Sequence, residues 1–278
     1  PEPVVIGDFK QISSICSKNR VDRIVVALDE RRGSLPVYQL LLCRLRGINV
    51  DDGVTFTENL TGKLCVESLH PSSIIFSNGI TGRFYTGKLK RVSDIIAALS
   101  GLLFLGPLCT LIAVAIKLDS KGPVFYMQER VGRDGRVFRL LKFRSMVVDA
   151  EKDGPIWAVN NDDRCTRVGK IIRKLRLDEI PQLINVLKGT MSIVGPRPER
   201  PFFVKKLEQE IPFYYHRRLV TPGITGWAQI YYPYGATMED AIEKLKYDLY
   251  YIKNISPVLD LRIISETVKI VLLGKGSR

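Results

Sequence analysis

Ile95-Ile96-Ala97-Ala98-Leu99-Ser100-Gly101-Leu102-Leu103-Phe104-Leu105-Gly106-Pro107-Leu108-Cys109-Thr110-Leu111-Ile112-Ala113-Val114-Ala115-Ile116 is a run of 22 residues without a charge, bounded by Asp94 and Lys117. As a helix, about 20 apolar residues cross the ~30 Å hydrocarbon core of a bilayer. The run therefore divides the chain into a part before a membrane segment and a part after it. Its flanks are basic on both sides, with Lys88, Lys90 and Arg91 before and Lys117 and Lys121 after. Positive residues stay on the cytoplasmic side, so a simple crossing satisfies only one flank. Gly106-Pro107 sits mid-run, and an interior proline removes a backbone hydrogen bond at a cost of ~3 kcal/mol. The expectation is a re-entrant helix-break-helix over residues 88–118, broken at Gly106 and Pro107, that dips into one leaflet. Unbroken apolarity and two basic flanks weigh against the competing reading, a buried core helix.

Ahead of the run, Val4 to Asp8 reads as a strand, Phe9 to Lys18 as a helix and Asp22 to Leu28 as a buried strand. Leu35 to Arg46 reads as a helix closed by Gly47, and Ile48-Asn49-Val50 begins another strand. This βαβαβ order predicts a parallel sheet of the doubly wound type. No G-x-G-x-x-G follows the first strand, which leaves a cofactor role without support. Nothing at the start resembles a signal peptide, and an opening at Pro1 without Met is read as a chain that has lost an N-terminal part.

Beyond the run, Val124 to Arg130 and Val137 to Phe143 read as strands joined through Gly132-Arg133-Asp134-Gly135, a hairpin turn sequence. Lys142 and Arg144 emerge at its end. Helical patterns follow at Val168 to Leu175, Pro181 to Leu187, Pro201 to Gln209, Met238 to Ile252 and Leu259 to Leu273. The fold class expected is α/β: a partial Rossmann-like parallel-sheet domain over residues 1–87, the membrane segment, and a mixed α+β domain over residues 119–278.

Charge is unevenly divided. Residues 1–87 carry 10 Lys/Arg against 9 Asp/Glu, and residues 88–278 carry 32 against 20, so nearly all of the net +13 belongs to the second part. Such a field attracts phosphates. Five scattered cysteines without C-x-x-C fit neither a zinc site nor a disulfide framework. The two histidines, His70 and His216, lie far apart and give triad chemistry little to work with. Dispersed positive charge beside a membrane segment argues against nucleic acid as a partner.

The densest cluster is Arg173-Lys174-Leu175-Arg176-Leu177-Asp178-Glu179-Ile180-Pro181-Gln182-Leu183. Asp178 reads as a helix N-cap with Pro181 tolerated in the first turn. It reads equally as a carboxylate beside bound phosphate, where it would coordinate Mg²⁺ or attack phosphorus. Gly195-Pro196-Arg197-Pro198-Glu199-Arg200 is either a rigid loop with a solvated arginine or a phosphate contact. Thr221-Pro222-Gly223-Ile224-Thr225-Gly226-Trp227-Ala228-Gln229 reads as a tight loop folded over a core. Trp157, Tyr231, Tyr232 and Tyr234 suit either a headgroup boundary or packing.

Taken in order, Lys90 to Asp94, Gly122-Pro123-Val124-Phe125-Tyr126, Gln128-Glu129-Arg130-Val131-Gly132, Lys142-Phe143-Arg144-Ser145-Met146, Leu177 to Gln182, Pro196-Arg197-Pro198 and Pro222 to Trp227 strongly resemble the bacterial sugar transferases. These are the monotopic phosphoglycosyl transferases, or polyprenyl-phosphate sugar-1-phosphate transferases. The resemblance covers roughly residues 88–278, and residues 1–87 look like the later part of the Rossmann-like domain of the long members, of the exopolysaccharide-pathway branch. It implies a ping-pong transfer of sugar-1-phosphate from a UDP-sugar to undecaprenyl phosphate, with UMP released, at the cytoplasmic face of the bacterial inner membrane. In that reading Asp178 is the nucleophile and the Mg²⁺ ligand, and Glu179 its partner. Lys142, Arg144, Arg173 and Arg197 contact phosphate oxygens. The rival reading is a non-catalytic membrane-associated protein that binds a ligand or lipid. Homo-oligomerisation and the identity of the sugar stay open.

Overall fold

The computed structural model describes residues 4–28, 35–65, 85–148, 150, 163–232, 235 and 237–273, in two compact units that divide between residues 69 and 70. The architecture is mixed α/β, mostly helical, with small sheets and one long apolar helix.

In the first unit, helix α1 (Ile12–Lys18) leads to strand β1 (Arg23–Val26), helix α2 (Val37–Leu45), strand β2 (Asn49–Asp52) and helix α3 (Gly53–Thr61). β1 and β2 pair in parallel, with Arg23 opposite Asn49 and Val26 opposite Asp52. Parallel neighbours need a long crossover. Here α2 supplies it, turning Leu40 and Cys43 inward, while α1 contributes Cys16. One expectation fails: Val4 to Asp8 forms no strand. Val4 and Val5 are 80% and 92% exposed, and an extended segment without a paired neighbour leaves its backbone groups to water. The βαβαβ order thus reduces, among the described residues, to one parallel pair followed by the unanticipated α3.

The second unit is organised by helix α4 (Lys90–Asp119), 30 residues and about 45 Å long at 1.5 Å per residue. It is followed by β3 (Phe125–Val131), β4 (Val137–Phe143), α5 (Arg167–Lys174), α6 (Gln182–Lys188), β5 (Ser192–Val194) and α7 (Pro201–Glu210). β6 (Gly223–Thr225), α8 (Trp227–Tyr231), α9 (Met238–Lys253) and α10 (Pro257–Leu272) complete it. β3 and β4 form the expected antiparallel hairpin, Val131 opposite Val137 and Phe125 opposite Phe143, with Asp134 and Gly135 at positive φ in its turn.

α4 runs through Gly106-Pro107 as one helix, so the break expected there is absent from the secondary structure. Pro107 deletes one donor, and the residue found most often around it is leucine, a good helix former that carries the helix on both sides. The Thr110 hydroxyl also donates to the Gly106 carbonyl at 3.2 Å. Only 11% of the most apolar 18-residue stretch is buried among the described residues, less than a core helix buries. One face packs on the unit: Ala98 with Leu140, Val186 and Met191, then Ile112 and Ile116 with Phe143 and Ile172. The opposite face exposes Ile96, Leu99, Leu103, Leu111, Val114 and Leu118 at helical spacing.

Both ends of α4 are tied to this unit. Near its start, Arg91 donates to the carbonyls of Val186 and Leu187, and Asp94 accepts from the Ser192 hydroxyl and Ile193 N–H, both at 3.0 Å. At its end, Asp119 accepts from Val168 N–H at 3.0 Å.

Candidate active site

Between α5 and α6 the chain makes a sharp turn. Arg176 takes a left-handed φ of 55°, and Leu177–Glu179 form a 3-10 turn that runs through Pro181 into α6. Leu177 and Ile180 pack against the core under the second half of α4, anchoring the turn on either side of Asp178 and Glu179. The N-cap of α6 is Pro181, with no side-chain cap. Asp178 therefore does not serve as the helix cap that its spacing allows.

Three elements bring cations to this turn. Lys142 Nζ, from β4, lies 2.8 Å from Glu179 Oε1 and 3.8 Å from Asp178 Oδ2. Arg197, from the loop after β5, donates through Nη2 to Glu179 Oε1 at 2.5 Å and through Nη1 to Gln229 Oε1 at 3.0 Å. Arg173, at the end of α5, adds positive potential at Asp178 while its Nη1 meets Cys165 Sγ at 2.8 Å. The two carboxyls respond oppositely. Burial opposes ionisation of Glu179, yet the charges of Arg197 and Lys142 outweigh it and hold that carboxyl well below its usual range. At Asp178 burial wins over the pull of Lys142 and raises the carboxyl above its usual range. Glu179 is thus a fixed anion that holds two cations, and Asp178 is a desolvated carboxylate beside them.

Arg197 is aimed by close backbone pairing. Gly195 N–H donates to Thr225 carbonyl at 2.9 Å, and Gly223 N–H to Pro196 carbonyl at 3.0 Å. A Cβ on Gly223 or Gly226 would collide with the Gly195 backbone, so these positions admit only glycine at this approach. The same pairing starts α8 and delivers Gln229, whose amide also donates to the Ile224 carbonyl at 3.3 Å. From the other side, Arg217 donates to the Arg197 carbonyl at 3.0 Å and to Asp248 at 2.7 Å, and Arg130 donates to the Pro198 carbonyl at 2.9 Å.

Of the residues singled out in sequence, Asp178, Glu179, Lys142, Arg173 and Arg197 converge. Arg144 does not join them: its guanidinium donates to the carbonyls of Ser120 and Lys121 at 2.8 and 2.7 Å, closing the end of α4. Gln229, Arg217 and Arg130 carry no sequence signal of a role, since only the three-dimensional pairing reveals what they hold. Tyr231 stacks on Tyr247 at 5.8 Å while staying 45% exposed, and the Tyr232 hydroxyl donates to Asp240 at 2.6 Å. His70, Trp157 and Tyr234 lie outside the described residues.

Among the described residues, no three His, Cys, Asp or Glu side chains gather to hold a metal ion. Mg²⁺ that is bound mainly by substrate phosphates needs only one or two carboxylates. Asp178, beyond hydrogen-bond distance of Lys142, fits that lesser requirement.

The constellation of carboxylates and cations lies inside the stretch that the bacterial sugar transferase profile matches, residues 85–274. The chain belongs to the bacterial sugar transferase family. The chain is 43% identical over 261 residues to a UDP-N-acetylgalactosamine-undecaprenyl-phosphate N-acetylgalactosaminephosphotransferase of Aeromonas hydrophila, covering 93% of this chain and 61% of that protein. It is 38% identical over 280 residues to an undecaprenyl-phosphate glucose phosphotransferase of Komagataeibacter xylinus, covering 98% of this chain and 52% of that protein. A third relative, the exopolysaccharide production protein PSS of Rhizobium leguminosarum bv. phaseoli, is 43% identical over 195 residues, 68% of this chain and 98% of that protein. The chain thus spans 61% and 52% of the length of the first two relatives.

Proposed function

We propose that this sugar transferase moves a sugar-1-phosphate from a UDP-sugar to undecaprenyl phosphate, the step that initiates an exopolysaccharide or related glycoconjugate. The observation that carries the reading is a buried Asp178 beside an ionised Glu179 that fixes Lys142 and Arg197 around it. A carboxylate oxygen of Asp178 attacks the sugar-linked phosphorus. The bond from that phosphorus to the bridging oxygen breaks, and UMP leaves with that oxygen. The resulting acyl phosphate holds the phosphosugar until an oxygen of undecaprenyl phosphate attacks the same phosphorus and restores the carboxylate. Lys142, Arg173 and Arg197 bear on the charge of the phosphates, and Glu179 keeps two of them in place. Asp178 would hold a Mg²⁺ ion, which would supply positive charge to neutralise part of the substrate's charge when bound. Arg144 acts away from phosphate, as the clasp on α4.

Both substrates are anions and one is confined to the membrane, which suits a basic unit with an exposed apolar helix. In this reading α4 dips into the cytoplasmic leaflet of the inner membrane, with the site at the depth of a lipid-borne phosphate. Its ends are tied to one unit, which supports both ends lying on one side of the membrane over crossing. The first unit is read as the later part of a Rossmann-like domain. Incubation of Asp178→Asn with a panel of UDP-sugars should give no phosphosugar adduct by intact-protein mass spectrometry and no UMP. Undiminished turnover in that variant would overturn the role of Asp178.

A further inference from the structure

Lys142 reaches the carboxylates from β4, which among the described residues is hydrogen-bonded to another strand along one edge only, that facing β3. Alternate residues of β4 turn their N–H and C=O groups to its other edge, away from β3. Asn185 of α6 meets that edge. Leu141 N–H donates to Asn185 Oδ1 at 2.9 Å, and Asn185 Nδ2 donates to the Arg139 carbonyl at 2.8 Å. One side-chain amide therefore makes the two bonds that a third strand would make. Asn185 is only 4% exposed, so little water competes for these groups. An N–H must donate and a carbonyl must accept, which fixes the amide orientation. Thr190 Oγ1, 3.3 Å from Nδ2, holds the same rotamer.

The location of this clamp matters more than its strength. Leu141 immediately precedes Lys142, and Asn185 sits on the helix that continues the Asp178-Glu179 turn. Around the clamp, Leu140, Val186 and Met191 supply apolar packing, which is non-directional and leaves a strand free to slide. The amide bonds are directional and set the register of β4 against α6. We propose that Asn185 is a positioning residue that fixes Lys142 against the Asp178 and Glu179 carboxylates. Its kinetic consequence rests on the phosphosugar transfer proposed above, whereas its geometric consequence does not.

The test compares Asn185→Asp, which keeps the acceptor for Leu141 and loses the donor to Arg139, with Asn185→Leu, which loses both. Both are made in the full chain, with and without Lys142→Met. Amine labelling followed by mass spectrometry should show Lys142 reacting several-fold faster in each Asn185 variant while the other lysines keep their rates. Single-turnover adduct formation should slow about 10–100-fold, as expected of a cation displaced by about 1 Å. That loss should vanish when Lys142 is already methionine. Unchanged Lys142 labelling, or a loss that simply adds to that of Lys142→Met, would assign Asn185 a merely structural role and overturn the proposal. Should Asn185→Leu fail to fold, Asn185→Asp decides. If the unsubstituted chain forms no adduct, the proposed reaction fails and the labelling arm alone judges Asn185.

Discussion

Glu179 and Asp178 are neighbours in sequence with opposite effects on stability. The folded pKa of Glu179 is lowered, so its contribution is present above the unfolded value near 4.5 and is lost as pH falls toward the folded one. Glu179→Gln leaves Lys142 and Arg197 facing an uncharged group, and breaking a buried pair costs about 3–5 kcal/mol. Arg197 is a third exposed, which screens its share and places the expected loss nearer 2 kcal/mol. Urea melts should show that gap at pH 7 and its narrowing below pH 4.5. Asp178 has a raised folded pKa, so it costs stability as pH rises above the unfolded value near 3.8, and the cost is complete above the folded one. Asp178→Asn should therefore unfold no earlier than the unsubstituted chain at pH 7, although it abolishes adduct formation. Equal destabilisation by the two substitutions would contradict this division of roles.

Along α4 the two faces do different work at the same helical period. The packed face ties residues 91 and 94 to α6 and β5, the elements that lead out of the Asp178 turn and into the Arg197 loop. The outer face meets nothing among the described residues of its own unit, and Phe104 there is 80% exposed. A charge deep in a bilayer costs about 2.5–3.5 kcal/mol on insertion scales. Phe104→Asp should thus lower the partition coefficient onto vesicles of bacterial lipid by roughly 100-fold, while its melting temperature in detergent-free buffer changes little. Unchanged vesicle binding would remove the outer face of α4 from the membrane contact.

Across the whole molecule, the longest periodic signals were the most legible. The apolar run, the hairpin at Gly132 to Gly135 and the helices from Val168 to Leu273 all form near their expected bounds, because a repeated pattern averages over local exceptions. β5 and β6 were invisible: three residues carry no period, and their pairing depends on glycine backbones meeting across about 30 residues of chain. Arg144 lands away from the carboxylates because β4 ends at Phe143. Past that point the pleat no longer dictates direction, and the open carbonyls at the end of α4 capture the guanidinium. At Gly106-Pro107 the backbone stays helical, since one missing donor does not end a helix rich in leucine and alanine. An unbroken α4 sharpens the topological question. At about 45 Å it is long enough to cross a bilayer, yet both its ends hold the same unit. Single cysteines at Lys88 and Lys121, in a chain whose five native cysteines are replaced, should both react with an impermeant thiol reagent in inside-out vesicles. Neither should react in right-side-out ones. Opposite-side labelling would mean that α4 crosses, and that one of its two sets of polar ties is released in the membrane.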